Sequence, residues 1–383
     1  MKQLSFEQGP IRPPSEARSL LLRVTRNCSW NQCQFCSVYK GTKFERRSVD
    51  EVKVDIDTVK EIISTVKSLS WRMGFSGQFN EQVARYFFDQ SGLNQSFLSV
   101  VAWLYYGTNA VFLQDANNLI LSADDLVSML EYLNDKIPGI TRITTYSRSK
   151  TVARKSVEDL KWIRAAGLNR VHVGLESGSD KVLKFMKKGV TADGQIKGGR
   201  NVVEAGMELS EYYMPGLGGR AMWKEHSIET ARVLNAINPH FIRLRTLHVG
   251  QVLPLYQLVE SGEFELRSPD EIVEEIRLFI ENLDGINSYV ASDHIGNMLQ
   301  DVEGQLPQDK QHMLDAIDRY LDLEPEQRMH YQVGRLMGLY TGVRDMALPR
   351  VHQQVEDAMD KLKSRYKDGI NEALIEIHNQ LMR

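Results

Sequence analysis

Short apolar runs alternate with stretches of helical periodicity over the first two thirds of the chain. Runs of strand character lie at residues 20–25, 110–113, 140–146, 170–175, 207–214 and 241–247. Between them, a serine followed three residues later by an acidic residue marks helix starts at Ser48-Val-Asp-Glu51, Ser122 to Asp125, Ser156 to Asp159 and Ser268-Pro-Asp-Glu271. The last carries proline at the first helical position, where its missing N–H costs nothing. Six strands alternating with helices predict parallel βα units over about residues 20–250, and so an α/β chain closing partly into a (βα)6 TIM-like barrel. In such barrels the chemistry gathers at the C-terminal ends of the strands. An aromatic segment at about 70–107 interrupts the rhythm between the first two units and predicts a helical insertion. Its rings fit a core or dimer patch better than a substrate pocket, which they could also line. Residues 1–19 form a lead. Beyond about 250 the pattern turns to amphipathic helices at 270–283, 308–321 and 354–381. They predict a mainly helical extension over 251–383 that covers the barrel mouth.

Composition narrows the class. The chain has 383 residues, 47 basic against 50 acidic side chains, 42% hydrophobic and 25% charged residues. These values exclude disordered and collagen-like classes and leave ample length for a large core. A net charge of −3 lacks the footprint of a general nucleic-acid binder, so nucleic acid is not the expected partner. The longest apolar run, Phe97 to Tyr106, is broken by Ser99 and falls short of the roughly 20 residues of a membrane span. No apolar secretory core opens the sequence, which makes the expected location cytoplasmic.

The three cysteines, Cys28, Cys33 and Cys36, fall within nine residues just after the first strand. A disulfide would leave one thiol over. Closed structural zinc needs a fourth ligand, and the nearest histidine in sequence is His172. Three thiolates on a [4Fe-4S] cluster leave one iron open, the counterpart of a catalytic metal position.

Three motifs in order then carry a resemblance. Cys28-Ser-Trp-Asn-Gln-Cys33-Gln-Phe-Cys36 looks like the cluster loop of the radical S-adenosylmethionine superfamily. Val173-Gly-Leu-Glu-Ser-Gly-Ser-Asp180, followed by Val182-Leu-Lys-Phe-Met186 and Lys188-Gly189, resembles the fourth-strand motif of one branch of it. That branch contains the oxygen-independent coproporphyrinogen oxidases, tRNA methylthiotransferases and the elongator catalytic subunit. Tyr213-Met-Pro-Gly-Leu-Gly-Gly219 is similar to the fifth-strand glycine turn of the branch. The resemblance covers about residues 18–250. It implies a [4Fe-4S] cluster and S-adenosylmethionine as cofactors, reductive cleavage of the sulfonium, and hydrogen abstraction from substrate by a 5′-deoxyadenosyl radical.

By position the resemblance makes Cys28, Cys33 and Cys36 the cluster ligands and sets Phe35 beside the adenine. Asp115 and Asn117, at the tip of the second strand, replace a glycine-rich or acidic contact to the methionine amino group, or else form an Asx turn. Ser147 and Arg148 follow the third strand, where polar contacts to the cofactor are common; Arg148 equally suits a solvent-facing loop. Glu176 matches the polar residue ending the fourth strand. Lys188 stands where relatives carry an arginine facing the methionine carboxylate, and it offers a point charge without the bidentate fork. The first two cysteines are separated by four residues where the common pattern has three.

Absences narrow the chemistry further. With no cysteine elsewhere, an auxiliary thiolate-held cluster and a methyl-carrying cysteine are excluded. Ser292-Asp-His-Ile-Gly-Asn297 has the wrong order for an Asp-x-His-x-x-Gly cobalamin motif. Asp293 and His294 could still serve as substrate ligands or a proton donor, or form a capped turn. Arg220, Arg243 and Arg245 could clamp an anion. Alternation puts Arg243 and Arg245 on one face of the sixth strand, which favours an anionic substrate if that face is interior. The expectation is therefore a single-cluster radical enzyme acting on a small anionic metabolite, reduced by a flavodoxin or ferredoxin. A coproporphyrinogen-oxidase-like decarboxylase or tetrapyrrole-modifying enzyme is the second reading. An iron–sulfur or zinc module for electron transfer or sensing is the third.

Overall fold

The computed structural model describes residues 4–366. The chain falls into two compact units: one holds residues up to 31, 38–173 and 197–209, the other 32–37, 174–196 and the chain from 210 onward.

In the first unit, strands β1 (Leu20–Arg23), β2 (Ala110–Gln114), β3 (Arg142–Ser147) and β4 (Leu168–Glu176, as far as Val173) pair in parallel and in chain order. Leu22 faces Leu113, and Thr145 faces Val171. All five residues of β2 are buried, as a parallel strand covered on both faces requires. The helices are α1 (Val49–Arg72), α2 (Glu81–Phe88), α3 (Gln95–Tyr106), α4 (Ala123–Lys136), α5 (Ser149–Val152) and α6 (Val157–Ala165). Helix α1 opens on the expected capping box: the Ser48 hydroxyl accepts from Glu51 N–H, and the Glu51 carboxylate accepts from Ser48 N–H at 2.8 Å. Its buried face runs Val52, Ile56, Val59, Ile62 and Val66, one helical stripe in which each residue contributes about 1.5–3 kcal/mol on burial. Ser122 and Ser156 cap α4 and α6 in the same way.

The aromatic insertion is largely helical, and only part of it is core. Phe87, Phe97 and Trp103 are buried, whereas Trp71, Tyr86, Phe88, Tyr105 and Tyr106 are exposed. The lead is strapped onto α3: Phe6 N–H donates to Ser96 Oγ, and Asn94 Nδ2 donates to the Leu4 carbonyl.

In the second unit, β5 (Glu208–Tyr213, from Ser210), β6 (Phe241–Leu244) and β7 (Tyr289–Ala291) pair in parallel, with Tyr212 facing Arg243 and Arg243 facing Ala291. Gly304–Gln305 adds an antiparallel pair to β7. The parallel series thus continues one strand beyond the six expected, because three residues are too few to show a period. The helices are α7 (Asp180–Phe185), α8 (Ala192–Glu204, shared with the first unit), α9 (Gly219–Ile237), α10 (Pro254–Glu260), α11 (Pro269–Glu281), α12 (Lys310–Leu321), α13 (Pro325–Leu336) and α14 (Pro349–Tyr366). The C-terminal part of the expected 354–381 helix lies outside the described residues. The architecture is α/β, dominated by parallel strands, with the expected helical extension. Among the described residues no helix is long and apolar enough to cross a membrane.

Candidate active site

The cysteine loop follows β1. Cys28, Cys33 and Cys36 are all partly exposed, Cys28 in the first unit and the other two in the second. Asn31, in the left-handed region at φ 51°, turns its N–H onto Cys28 Sγ at 3.4 Å. Its side-chain amide donates to the Tyr39 carbonyl. Three accessible thiols on one loop, with an amide aimed at a sulfur, fit iron–sulfur ligation, where N–H···S bonds tune the cluster.

Two buried side chains hold the base of this loop. Asp115 accepts from Arg23 Nε at 2.6 Å, Tyr39 Oη at 2.6 Å and Asn27 N–H at 3.0 Å. Burial and the Asp115 charge push the Tyr39 hydroxyl well up, so it stays a donor. Asn117 has all four of its hydrogen-bonding positions engaged. Its Nδ2 donates to Ser29 Oγ at 2.8 Å and Thr151 Oγ1 at 2.9 Å, and its Oδ1 accepts from Ser147 Oγ at 3.0 Å and Arg148 N–H at 3.1 Å. Asp115 and Asn117 therefore act by positioning the loop, and their groups are spent on the protein itself. Neither is a simple Asx turn.

Arg148 reaches toward Trp30, its guanidinium 5.1 Å from the ring centre, and Lys150 Nζ lies 5.8 Å from the same ring. These residues border a cleft of about 450 Å³ that also takes in Ser29, Arg154 and Lys155. Asp159 is the only carboxylate among its lining residues, against four cations. Burial draws the Lys155 amine below its ordinary range. The cleft escaped the sequence reading, although the run Arg148-Ser-Lys150 to Arg154-Lys155 after β3 was a visible signal.

In the second unit the Cys33–Cys36 strip is pinned to the end of α7. Gln34 N–H donates to the Met186 carbonyl at 3.0 Å, Gln34 Nε2 to the Phe185 carbonyl at 3.0 Å, and Leu255 N–H to the Gln34 carbonyl at 3.0 Å. Lys188 Nζ sits 5.5 Å from the Phe35 ring centre and 3.1 Å from Glu176 Oε1. Phe35, Glu176 and Lys188, all drawn from the motifs, thus come together. Beneath them lies a residue the motifs do not flag: Glu211 on β5, fully buried, its carboxyl pushed well up by burial and by the charge of Glu176. A carboxylate in a strand where every later residue is buried was the only signal for it.

The glycine turn after β5 rests on a second buried network. Glu275 Oε1 accepts from Gly216 N–H at 2.8 Å and Tyr213 Oη at 3.1 Å, and Arg267 Nε approaches Glu275 Oε2 at 3.3 Å. His226 lies between Ser177 Oγ at 2.8 Å and the Met214 carbonyl at 3.0 Å. Burial pushes Glu275 up to about 7 and His226 down to about 4.

The expected anion clamp is not formed. Strand β6 ends at Leu244; Arg243 is buried within it, and Arg245, just beyond it, is exposed. Arg243 Nη1 pairs with Asp293 Oδ2 at 2.7 Å, and Arg220 is exposed and pairs with Glu271 at 3.0 Å. Asp293 is thereby occupied, and His294 Nδ1 accepts from Gly296 N–H at 3.1 Å in a local turn.

Residues 98–231 match the family model described as the Radical SAM superfamily. That stretch, about a third of the chain, is similar to the superfamily. The matched stretch runs from α3 into α9 and begins after the cysteine loop. The chain is similar to the tRNA uridine(34) acetyltransferase of Methanocaldococcus infernus, at 24% identity over 122 residues, 32% of this chain and 23% of that protein. The corresponding protein of Methanocaldococcus jannaschii is 25% identical over 111 residues, 29% of this chain and 20% of its own. The match thus spans about a quarter or less of these relatives' length. Among solved structures, methylornithine synthase superposes with a TM-score of 0.41 at 15% identity, covering 73% of this chain and 68% of that one. The cobalamin-dependent radical enzyme OxsB with aqua-cobalamin and S-adenosylmethionine bound gives 0.45 at 13% identity, covering 96% and 54%.

Proposed function

We propose that this chain is a single-cluster radical S-adenosylmethionine enzyme that holds its cluster through Cys28, Cys33 and Cys36 and acts on a small anionic substrate bound in the basic cleft beside Trp30. The family match supports the chemistry. Bound together, the cluster and S-adenosylmethionine supply reductive cleavage of the sulfonium and a carbon radical that takes a hydrogen atom from the substrate. The protein's share is to bind, orient and exclude.

The charge of the cleft is the observation that carries the substrate class. S-adenosylmethionine bears a sulfonium and an ammonium against one carboxylate, so it is net positive near neutral pH. Four cations against Asp159 disfavour it there and favour a phosphate or carboxylate. Arg148 accordingly passes from the cofactor contact expected of it to the substrate. Phe35, Glu176 and Lys188 keep the cofactor roles that their motifs imply, with Lys188 offered to the methionine carboxylate. Asn117 and Ser147 position the loop behind both. A flavodoxin or ferredoxin as reductant and a cytoplasmic location belong to the same reading.

Anaerobic reconstitution tests it. The iron-loaded, reduced protein is expected to cleave S-adenosylmethionine to 5′-deoxyadenosine and methionine, and Cys33→Ala to abolish that cleavage. If the loaded, reduced wild type leaves S-adenosylmethionine intact, the reading fails.

A further inference from the structure

Far along the chain from every residue assigned above, helices α13 and α14 bring three metal-ligating side chains to one point. His352 and Glu356 stand one turn apart on α14, and His330 comes from α13. Glu356 Oε1 lies 3.5 Å from His330 Nε2 and 3.7 Å from His352 Nε2, and the three donor atoms all fall within 4.8 Å of one another. Three donors held about 2.1 Å from a tetrahedral metal stand about 3.4 Å apart, so the two carboxylate distances already approach that spacing.

The two histidine rings are tilted 31° to each other with centres 4.3 Å apart. His330 is 4% exposed, yet neither of its ring nitrogens has a hydrogen-bond partner; the backbone of His352 lies near without bonding geometry. His352 Nδ1 is likewise buried without a partner. Of these orphaned atoms His330 Nε2 is the one that faces Glu356, a buried donor position standing unsatisfied at the cluster.

We propose that His330, His352 and Glu356 form a site for one divalent transition metal, zinc first, that clips α14 onto α13. Two imidazoles and a carboxylate are a common zinc set, and water completes a fourth position on the exposed side, where Glu356 and His352 meet solvent. The clip is independent of the radical chemistry, since none of its residues belongs to the cysteine loop, the cofactor residues or the cleft.

The test uses the full-length, cluster-loaded protein, with the cysteines already occupied by iron. Equilibrium dialysis against zinc chloride followed by elemental analysis is expected to find about one zinc per chain beyond the iron. Glu356→Gln should weaken uptake by about 10- to 100-fold, and His352→Ala should abolish it. Zinc should raise the unfolding midpoint of the wild type and leave that of His352→Ala unmoved. Both variants change partly exposed side chains, and retained cleavage of S-adenosylmethionine reports that they fold. The proposal is overturned if the wild type takes up no zinc, or if His352→Ala takes up as much as the wild type.

Discussion

Two glycines of one motif show how differently the same atom weighs at the residue scale. A Cβ on Gly178 would lie 2.2 Å from the Glu229 carbonyl oxygen and 2.6 Å from Thr230 Cα, both rigid backbone of α9. A Cβ on Gly174 would lie 2.3 Å from Glu176 Oε1 and 3.0 Å from Lys188 Nζ, the mobile tips of long side chains. Gly178→Ala is therefore expected to destabilise the fold by about 3 kcal/mol, read as a lowered urea midpoint, because backbone must shift. Gly174→Ala is expected to leave the midpoint within about 1 kcal/mol, since the tips can swing aside. It should instead raise the KM for S-adenosylmethionine, because the swing separates Glu176 from Lys188. Equal stability losses in the two variants would contradict this. The motif letters gave both glycines the same standing; only tertiary packing tells them apart.

Elements carry the pH response. The turn after β5 is tied to α9 through His226 and to α11 through Glu275. Glu275 titrates near 7 in the fold against an ordinary 4.5, so the stability it gives is full below pH 4.5 and lost as pH rises through 7. His226 titrates near 4 against 6.5, so its contribution is full above pH 6.5 and lost as pH falls through 4. Between 4.5 and 6.5 the two slopes oppose and cancel. Glu275→Gln should uncover the histidine slope, a rise of about 1.4 kcal/mol per pH unit across that window, measured by urea unfolding at several pH values. A flat profile in the variant would exclude His226 as its partner. Element starts were legible in the sequence because caps are local: Ser48, Ser122, Ser156 and Ser268 all open helices as read. The strand-like run before Asp293 was legible, but not that it joins the parallel series as β7, which only its pairing with β6 decides, and neither was the end of β6 at Leu244, which the apolar run overshoots.

For the whole molecule, net charge proved a poor guide to local charge. A chain of net charge −3 carries a cleft where four cations meet one carboxylate. Pyrophosphate, used as a probe anion, is expected to bind there by calorimetry, with an affinity that falls as salt is raised. The double variant Lys150→Glu, Arg154→Glu should weaken it by at least about tenfold, the equivalent of one charge-assisted contact. Unchanged binding would remove the cleft as the anion site. The sequence showed the thiols and the motif residues, whose roles travel with short patterns. It hid Glu211, the Glu275 network and the cleft, which exist because distant segments fold against each other. Asn117 has a further consequence, for the sequences this fold can accept. Aspartate would lose both donors, serine offers a single hydroxyl, and glutamine carries its amide one methylene too far. With two N–H donors and an oxygen that accepts twice all in use, position 117 favours asparagine. A chain that drifts there must find new partners for the hydroxyls of Ser29, Ser147 and Thr151 and for the backbone N–H of Arg148.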